Sequence, residues 1–257
     1  MWHFARPPER FSLYRMIRAA ILSLALILAG CTSVRGYGPQ GYAIPADRDM
    51  RIVVMRPDVE VGLLNAGGVI EPRVDWTEEA QTNLLSGLAA NLSERGASMV
   101  LLPDQQGDAA RLVADYERLH MAVAMSIAEF RYGSERLPTK GEEGFDWTLG
   151  PGAARIGELG GGNYALFLTA RDSFSSDERV ALQVLGWAGC LIGLCFAPSG
   201  GQRFAYVSLV ELETGDIVWF NILSSSVGDI RSPEGARSTV DSLLREMPTR
   251  AGEADAS

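Results

Sequence analysis

Tyr164-Ala165-Leu166-Phe167-Leu168-Thr169-Ala170 decides the fold. It is almost continuously apolar and shows no in–out alternation. That is the pattern of a central β-strand covered on both faces. Such a strand needs paired neighbours and a layer on each side, and both can be found by reading outward from it. Downstream, Arg203 to Ser226 forms a hairpin with strands Ala205–Leu212 and Asp216–Leu223 and Thr214-Gly215 at the turn. Ser232-Pro233 then caps a last helix whose apolar face is Ala236, Val240, Leu243, Leu244 and Met247, and Pro248 stops it. Upstream, Arg51–Met55 and Asp58–Leu64 are extended, and Asn65–Gly68 supplies a turn.

A helix starts at Asp75-Trp76-Thr77-Glu78-Glu79, with Asp or Thr expected as its cap. Leu84, Leu85, Leu88 and Leu92 give it an apolar face, and Gly96 can close it. Met99 to Leu102 is a short strand. From Asp108 a longer helix carries Leu112, Tyr116, Leu119, Val123, Ile127 and Phe130 at steps of three or four. His120 lies beside that stripe and is expected at the surface or half-buried. A short helix at Ala153–Leu159 leads through Gly160-Gly161-Gly162-Asn163 into the central strand. The order implies an α/β domain, with α+β kept open: one compact unit with a mixed sheet flanked by helices in two or three layers.

The N-terminal segment has a different character. Arg15 and Arg18 precede an apolar run from Ala19 to Ala29, and Leu28-Ala29-Gly30-Cys31 follows. The run suits a signal peptide and is too short to cross a bilayer. Met16-Ile17-Arg18 begins a more typical leader than Met1 does. The tetrapeptide resembles the lipobox of bacterial lipoprotein precursors, and the resemblance implies cleavage before Cys31 and lipidation of its thiol. Thr32 stands where an Asp would mark inner-membrane retention, so the outer membrane is the expected address, with the protein facing the periplasm. The expected organisation is therefore a signal peptide at 1–30, a lipidated Cys and flexible tether at 31–49, a periplasmic domain at 50–248, and a disordered tail at 249–257.

The whole chain carries 23 Lys+Arg against 32 Asp+Glu. Removing the leader takes Arg6, Arg10, Arg15, Arg18 and Glu9, leaving 19 against 31 and a net charge near −12. Such a surface argues against nucleic acid and against an anionic membrane surface as electrostatic partners. Beyond Cys31, the cysteines are Cys190 and Cys195, which in an oxidising compartment either pair or remain free. With only His3 and His120 in the chain, a zinc site is not expected.

Candidate reactive groups lack company. The glycine triplet precedes its strand, whereas a phosphate loop lies between a strand and a helix. It reads as a tight turn. Asp172, Asp177 and Glu178 are expected to be solvated loop acids, and Ser173, Ser175 and Ser176 have no partner base nearby in sequence. No cofactor is implied. The most unusual segment is Val180 to Pro198, since no charge occurs between Arg179 and Arg203. Three readings stand: a membrane span, a glycine-kinked hairpin or loop touching lipid or another subunit, or plain core. The second makes Val184, Leu185, Trp187, Leu191 and Ile192 contact residues.

The hairpin Leu209-Val210-Glu211-Leu212-Glu213-Thr214-Gly215-Asp216-Ile217-Val218-Trp219 is similar to one in the curli-secretion-channel lipoproteins and in periplasmic α/β domains such as the N-terminal domain of the Tol translocation protein. Phe145-Asp146-Trp147, Tyr164-Ala165-Leu166-Phe167, Arg171-Asp172-Ser173 and Val218-Trp219-Phe220-Asn221 resemble an uncharacterised family of proteobacterial outer-membrane lipoproteins. In curli-type channels an apolar excursion enters the membrane. Val180 to Pro198 occupies a comparable place but is shorter and richer in glycine. These readings lead to a non-enzymatic envelope lipoprotein that binds or scaffolds, held to the membrane by its lipid and contacting an envelope protein or itself. The alternative is a subunit of an oligomeric secretion or pore complex.

Overall fold

The computed structural model describes residues 32–133, 137, 144–190, 193–194, 196, 198–225 and 228–251. The leader, with Cys31, lies outside them. Residues 32–257 cluster as one compact unit.

The described residues contain eight strands and five α-helices. The strands are β1 (Thr32–Tyr37), β2 (Arg51–Val54), β3 (Asp58–Leu64), β4 (Ile70–Pro72), β5 (Ser98–Leu101), β6 (Tyr164–Ser175), β7 (Arg203–Glu211) and β8 (Ile217–Ser225). The helices are α1 (Val74–Glu94), α2 (Gly107–Ile127), α3 (Ala154–Gly160), α4 (Asp177–Cys190) and α5 (Pro233–Leu243). All eight strands join one sheet in the order β1-β8-β7-β6-β2-β5, and β3 continues the line of β2 along the second half of β6. The sheet is mixed, as expected. β2 runs parallel to β5 and β6, while β6, β7, β8 and β1 alternate in direction.

The apolar run at Tyr164–Ala170 does form the central strand, and the two cores explain its composition. Tyr164, Leu166, Leu168 and Ala170 face α1 and α5, beside Leu84, Leu88, Val240 and Leu243. Ala165 and Phe167 face the opposite core with Ala124, Ile127, Ile156 and Trp147. A strand with helices on both faces gains nothing from alternation, so both sets of positions are apolar. The arrangement is three-layered.

Local chemistry accounts for most element ends. Ser232 accepts a hydrogen bond from the Gly235 amide at 3.1 Å, and Pro233 opens α5. The glycine triplet is a tight turn: Gly161 has φ +67°, and a Cβ on Gly160 or Gly162 would lie 2.6 Å from Val53. It packs against a strand and offers no cradle. The start of α1 differs from expectation, because neither Asp75 nor Thr77 caps it. The helix begins at Val74, Thr77 Oγ1 accepts from the Val61 amide at 3.0 Å, and Asp75 pairs with Arg73.

The expected tether is not free along its length. Thr32–Tyr37 pairs with β8 as an edge strand. Further on, Ile44 and Met50 are buried, and Arg48 forms ion pairs with Glu211 and Glu213. Glycine and proline content signalled flexibility, but the β8 edge offered a row of unpaired backbone groups and the segment filled it. The tail is likewise held at its start: the Ile44 amide donates to Thr249 O, and the Ala251 amide to Ile44 O. Residues 252–257 lie outside the described residues.

Candidate functional site

Two places invite a functional reading: a cleft beside α2, and the end of the sheet where α4 sits. The cleft holds about 380 Å³ and is lined by Arg56, Asp58, Glu117, His120, Phe167 and Thr169, among others. His120 is 3 % exposed, which corrects the expectation of a surface or half-buried residue. The inward face of α2 is turned from the predicted stripe: His120, Ala124 and Ile127 are buried while Leu119 is exposed. Periodicity that counts only apolar side chains misplaces the face, because a histidine holds one of its central positions.

His120 stacks on Phe167, with ring centroids 4.1 Å apart, and its Nε2 lies 2.7 Å from Ser208 Oγ. A serine beside a histidine suggests a nucleophile and its base. Burial argues otherwise. Ser208 is fully enclosed, so a substrate cannot reach its oxygen. Burial also pushes the His120 pKa down to about 3. The pair is a satisfied polar contact inside the second core. Glu117, at the cleft wall, has its carboxyl pushed up by burial.

Asp172 also departs from expectation. It lies within β6, buried, with Arg203 donating to Oδ2 at 2.9 Å from Nε and 2.7 Å from Nη2. Arg203 Nη1 reaches Thr239 Oγ1 at 3.1 Å, tying the sheet to α5. Burial pushes the Asp172 carboxyl up, and the adjacent guanidinium opposes the rise. The acid follows the apolar heptapeptide because β6 runs twelve residues, well past Ala170. Among the described residues, no three His, Cys, Asp or Glu side chains converge as a metal site would require.

The α4 end is of another kind. Val184, Leu185 and Trp187 are 63 %, 68 % and 67 % exposed, and Leu194 and Phe196 beyond the helix are 72 % and 70 % exposed. The buried positions of α4 are Arg179 and Gly186, seven residues apart and hence on one side of the helix, with Gln183 half-buried between them. The polar and small side therefore faces the protein, and the apolar side faces out. This inverts the usual arrangement of a surface helix.

Arg179 is the fastening. Its Nε donates to Ser199 O at 2.9 Å and its Nη1 to Asn65 O at 3.2 Å, joining the helix to the segment after it and to the β3–β4 turn. At the far end, Gly193 has φ +82° and the Leu194 amide donates to Gly189 O, so the chain turns back towards β7. Of the three readings of Val180 to Pro198, plain core does not fit the exposures of Val184, Leu185, Trp187, Leu194 and Phe196. No helix among the described residues is long and apolar enough to cross a membrane. Cys190 is disulfide-bonded, while Cys195, Leu191 and Ile192 lie outside the described residues.

Strand register shows what else shares this end. Thr32 pairs with Ser225, Ser225 with Arg203, Arg203 with Asp172, and Leu64 with Ser175. The first residue of β1 is therefore level with Asp172, three residues before the C-terminal end of β6, and the tip after β3 with that end itself, so both lie towards one end of the sheet. That tip adds Val69 and Ile70, and α1 begins with Val74, all at least half exposed. Sequence reasoning missed these three, since single apolar residues in a turn give no periodic signal.

No family model matches the sequence, and no curated protein matches it. Among solved structures, the fold is similar to PelC from Paraburkholderia phytofirmans, crystallised as a dodecamer, at 12 % identity and a TM-score of 0.39, covering 86 % of this chain and all of that one. It is also similar to the lipoprotein GNA1162 from Neisseria meningitidis at 15 % identity and a TM-score of 0.32, covering 76 % of this chain and 94 % of that one. Likeness at this level assigns neither family nor activity.

Proposed function

We propose that the chain is a lipid-anchored envelope protein at the inner face of the outer membrane, whose α/β domain works by contact rather than by catalysis. The observation that supports this reading best is the inverted α4, which presents Val184, Leu185 and Trp187 outward on an otherwise well-packed domain. Soluble domains rarely leave contiguous apolar surface uncovered without a use for it. The enclosed Ser208 and the neutral, buried His120 weigh against hydrolytic chemistry at the one serine–histidine contact named above. Anchorage rests on the lipobox resemblance at Leu28-Ala29-Gly30-Cys31. One acyl chain holds a protein only marginally, whereas two or more make a stable anchor.

Cys31→Ser tests the anchorage. It should leave an uncleaved precursor without lipid, and a variant that migrates and fractionates like the parent would contradict the reading. A second reading, as subunit of an oligomeric secretion or pore complex, draws on Leu119, Met121 and Met125, which are exposed on α2 and could be covered by a neighbouring copy. The size of the detergent-extracted protein separates the two. A monomer would favour a scaffold, and a ring-sized particle the complex.

A further inference from the structure

We infer that the α4 end of the sheet is a bilayer-docking face, a second membrane contact beside the lipid at Cys31. The orientation rests on the anchorage proposed above. The face itself rests on side chains.

Three observations converge. First, α4 turns its apolar side outward while Arg179, Gln183 and Gly186 take the inward side. An unfinished core would have turned Leu185 or Trp187 inward. The next charges in the sequence are Arg179 and Arg203, so the outward stretch contains no carboxylate or guanidinium of its own to desolvate.

Second, the register puts Thr32 at the same end. Thr32 is one peptide bond from Cys31 and belongs to β1, so an acyl group on Cys31 would tether the chain through this strand. Val69 and Ile70 after β3, and Val74 at the start of α1, border the same end. Arg179 holds the β3–β4 turn and the return segment against α4, so these parts move as one piece.

Third, the partner chemistry that fits is lipid rather than an acidic or basic surface. Arg73 pairs with Asp75, Arg231 with Asp229 and Arg203 with Asp172, while the exposed Asp177 and Glu178 sit at the rim, in the first turn of α4. The outward stretch between Arg179 and Arg203 itself carries no charge and has little to offer a charged partner. Trp187 supplies an apolar ring and an N–H that stays hydrated at headgroup depth.

The test uses the acylated protein and, beside it, residues 32–257, which form a compact unit containing both cores. Each is mixed with phosphatidylethanolamine–phosphatidylglycerol vesicles carrying brominated acyl chains, and tryptophan quenching is read. Trp147 and Trp219 are buried and Trp76 is stacked under arginines, so Trp187 dominates the accessible signal. The expected result is quenching in both forms that needs no phosphatidylglycerol and survives high salt, and that disappears in Trp187→Phe. Replacing Val184, Leu185 and Trp187 together with serine should weaken vesicle partitioning of residues 32–257 by more than about tenfold, with far-ultraviolet circular dichroism unchanged. No quenching in either form overturns the inference. So does an unquenched, shielded Trp187 in a protein that runs as an oligomer, which would assign the face to a second copy. A triple variant that fails to fold makes the face core and overturns it as well. The mass of Cys31 is read separately: an unmodified thiol removes the anchorage reading, while quenching of Trp187 in residues 32–257 still upholds the face.

Discussion

Helices α4 and α5 begin only some 56 residues apart in the chain, yet they treat water in opposite ways. α5 buries Ala236, Val240 and Leu243 and turns Glu234, Arg237 and Ser238 outward. α4 buries Arg179 and Gly186 and turns Val184, Leu185 and Trp187 outward. α5 packs on β7, β8 and α1, whereas α4 sits at the end of the sheet, tied to the β3–β4 turn and to the segment that follows it. α5 is held by apolar burial, and α4 by the hydrogen bonds that the Arg179 side chain donates to Ser199 O and Asn65 O. Substitutions that remove apolar atoms should therefore cost stability in the first helix and function in the second.

The largest effect belongs to the polar bond that ties α5 to the sheet. Arg203→Met leaves the Asp172 carboxylate buried without its partner and should cost about 3–5 kcal/mol of unfolding free energy at neutral pH. The loss should shrink on acidification, because burial already pushes that carboxyl up and the proton it takes removes the stranded charge. Equilibrium denaturation at two pH values checks both parts. Next, Leu243→Ala in α5 should cost about 2–5 kcal/mol, since it opens a cavity between α1 and the sheet. Urea unfolding midpoints measure it.

A smaller effect comes from His120. Its folded pKa, about 3, is depressed by burial below the ordinary 6.5. A depressed value means that the unfolded chain binds the proton first. The stability contributed is thus complete above pH 6.5 and declines as pH falls towards 3. Once the unfolded imidazole is protonated, the slope approaches ~1.4 kcal/mol per pH unit. Between pH 6.5 and 5, above the range where most carboxylates titrate, this slope should be visible and His120→Gln should flatten it.

The sequence disclosed the fold well where periodicity and burial coincide. The strand at Tyr164–Ala170, the Thr214-Gly215 hairpin, and α5 with its Ser232-Pro233 start all stand where local patterns put them. It misled where a partner distant in sequence decided the outcome. Thr32–Tyr37 became a strand because β8 had a free edge. His120 went inside because Ser208, 88 residues away, could satisfy its ring nitrogen. Asp172 was buried because Arg203 came to meet it. The candidate site was half legible. The charge-free run marked Val184, Leu185 and Trp187, but a segment apolar on nearly every side cannot reveal which side faces out. That was decided by Arg179, whose inward position follows from its hydrogen bonds to Ser199 O and Asn65 O and not from its hydropathy.

The smallest expected effect bears most directly on the central claim that the outward face of α4 is a contact surface and not core. It is read as the urea unfolding free energy of residues 32–257 carrying serine at Val184, Leu185 and Trp187 together. The account predicts a change within ~0.5 kcal/mol per site, the range of ordinary surface substitutions. A loss of several kcal/mol, comparable with Leu243→Ala, would mean that these side chains hold the fold, and would contradict the account.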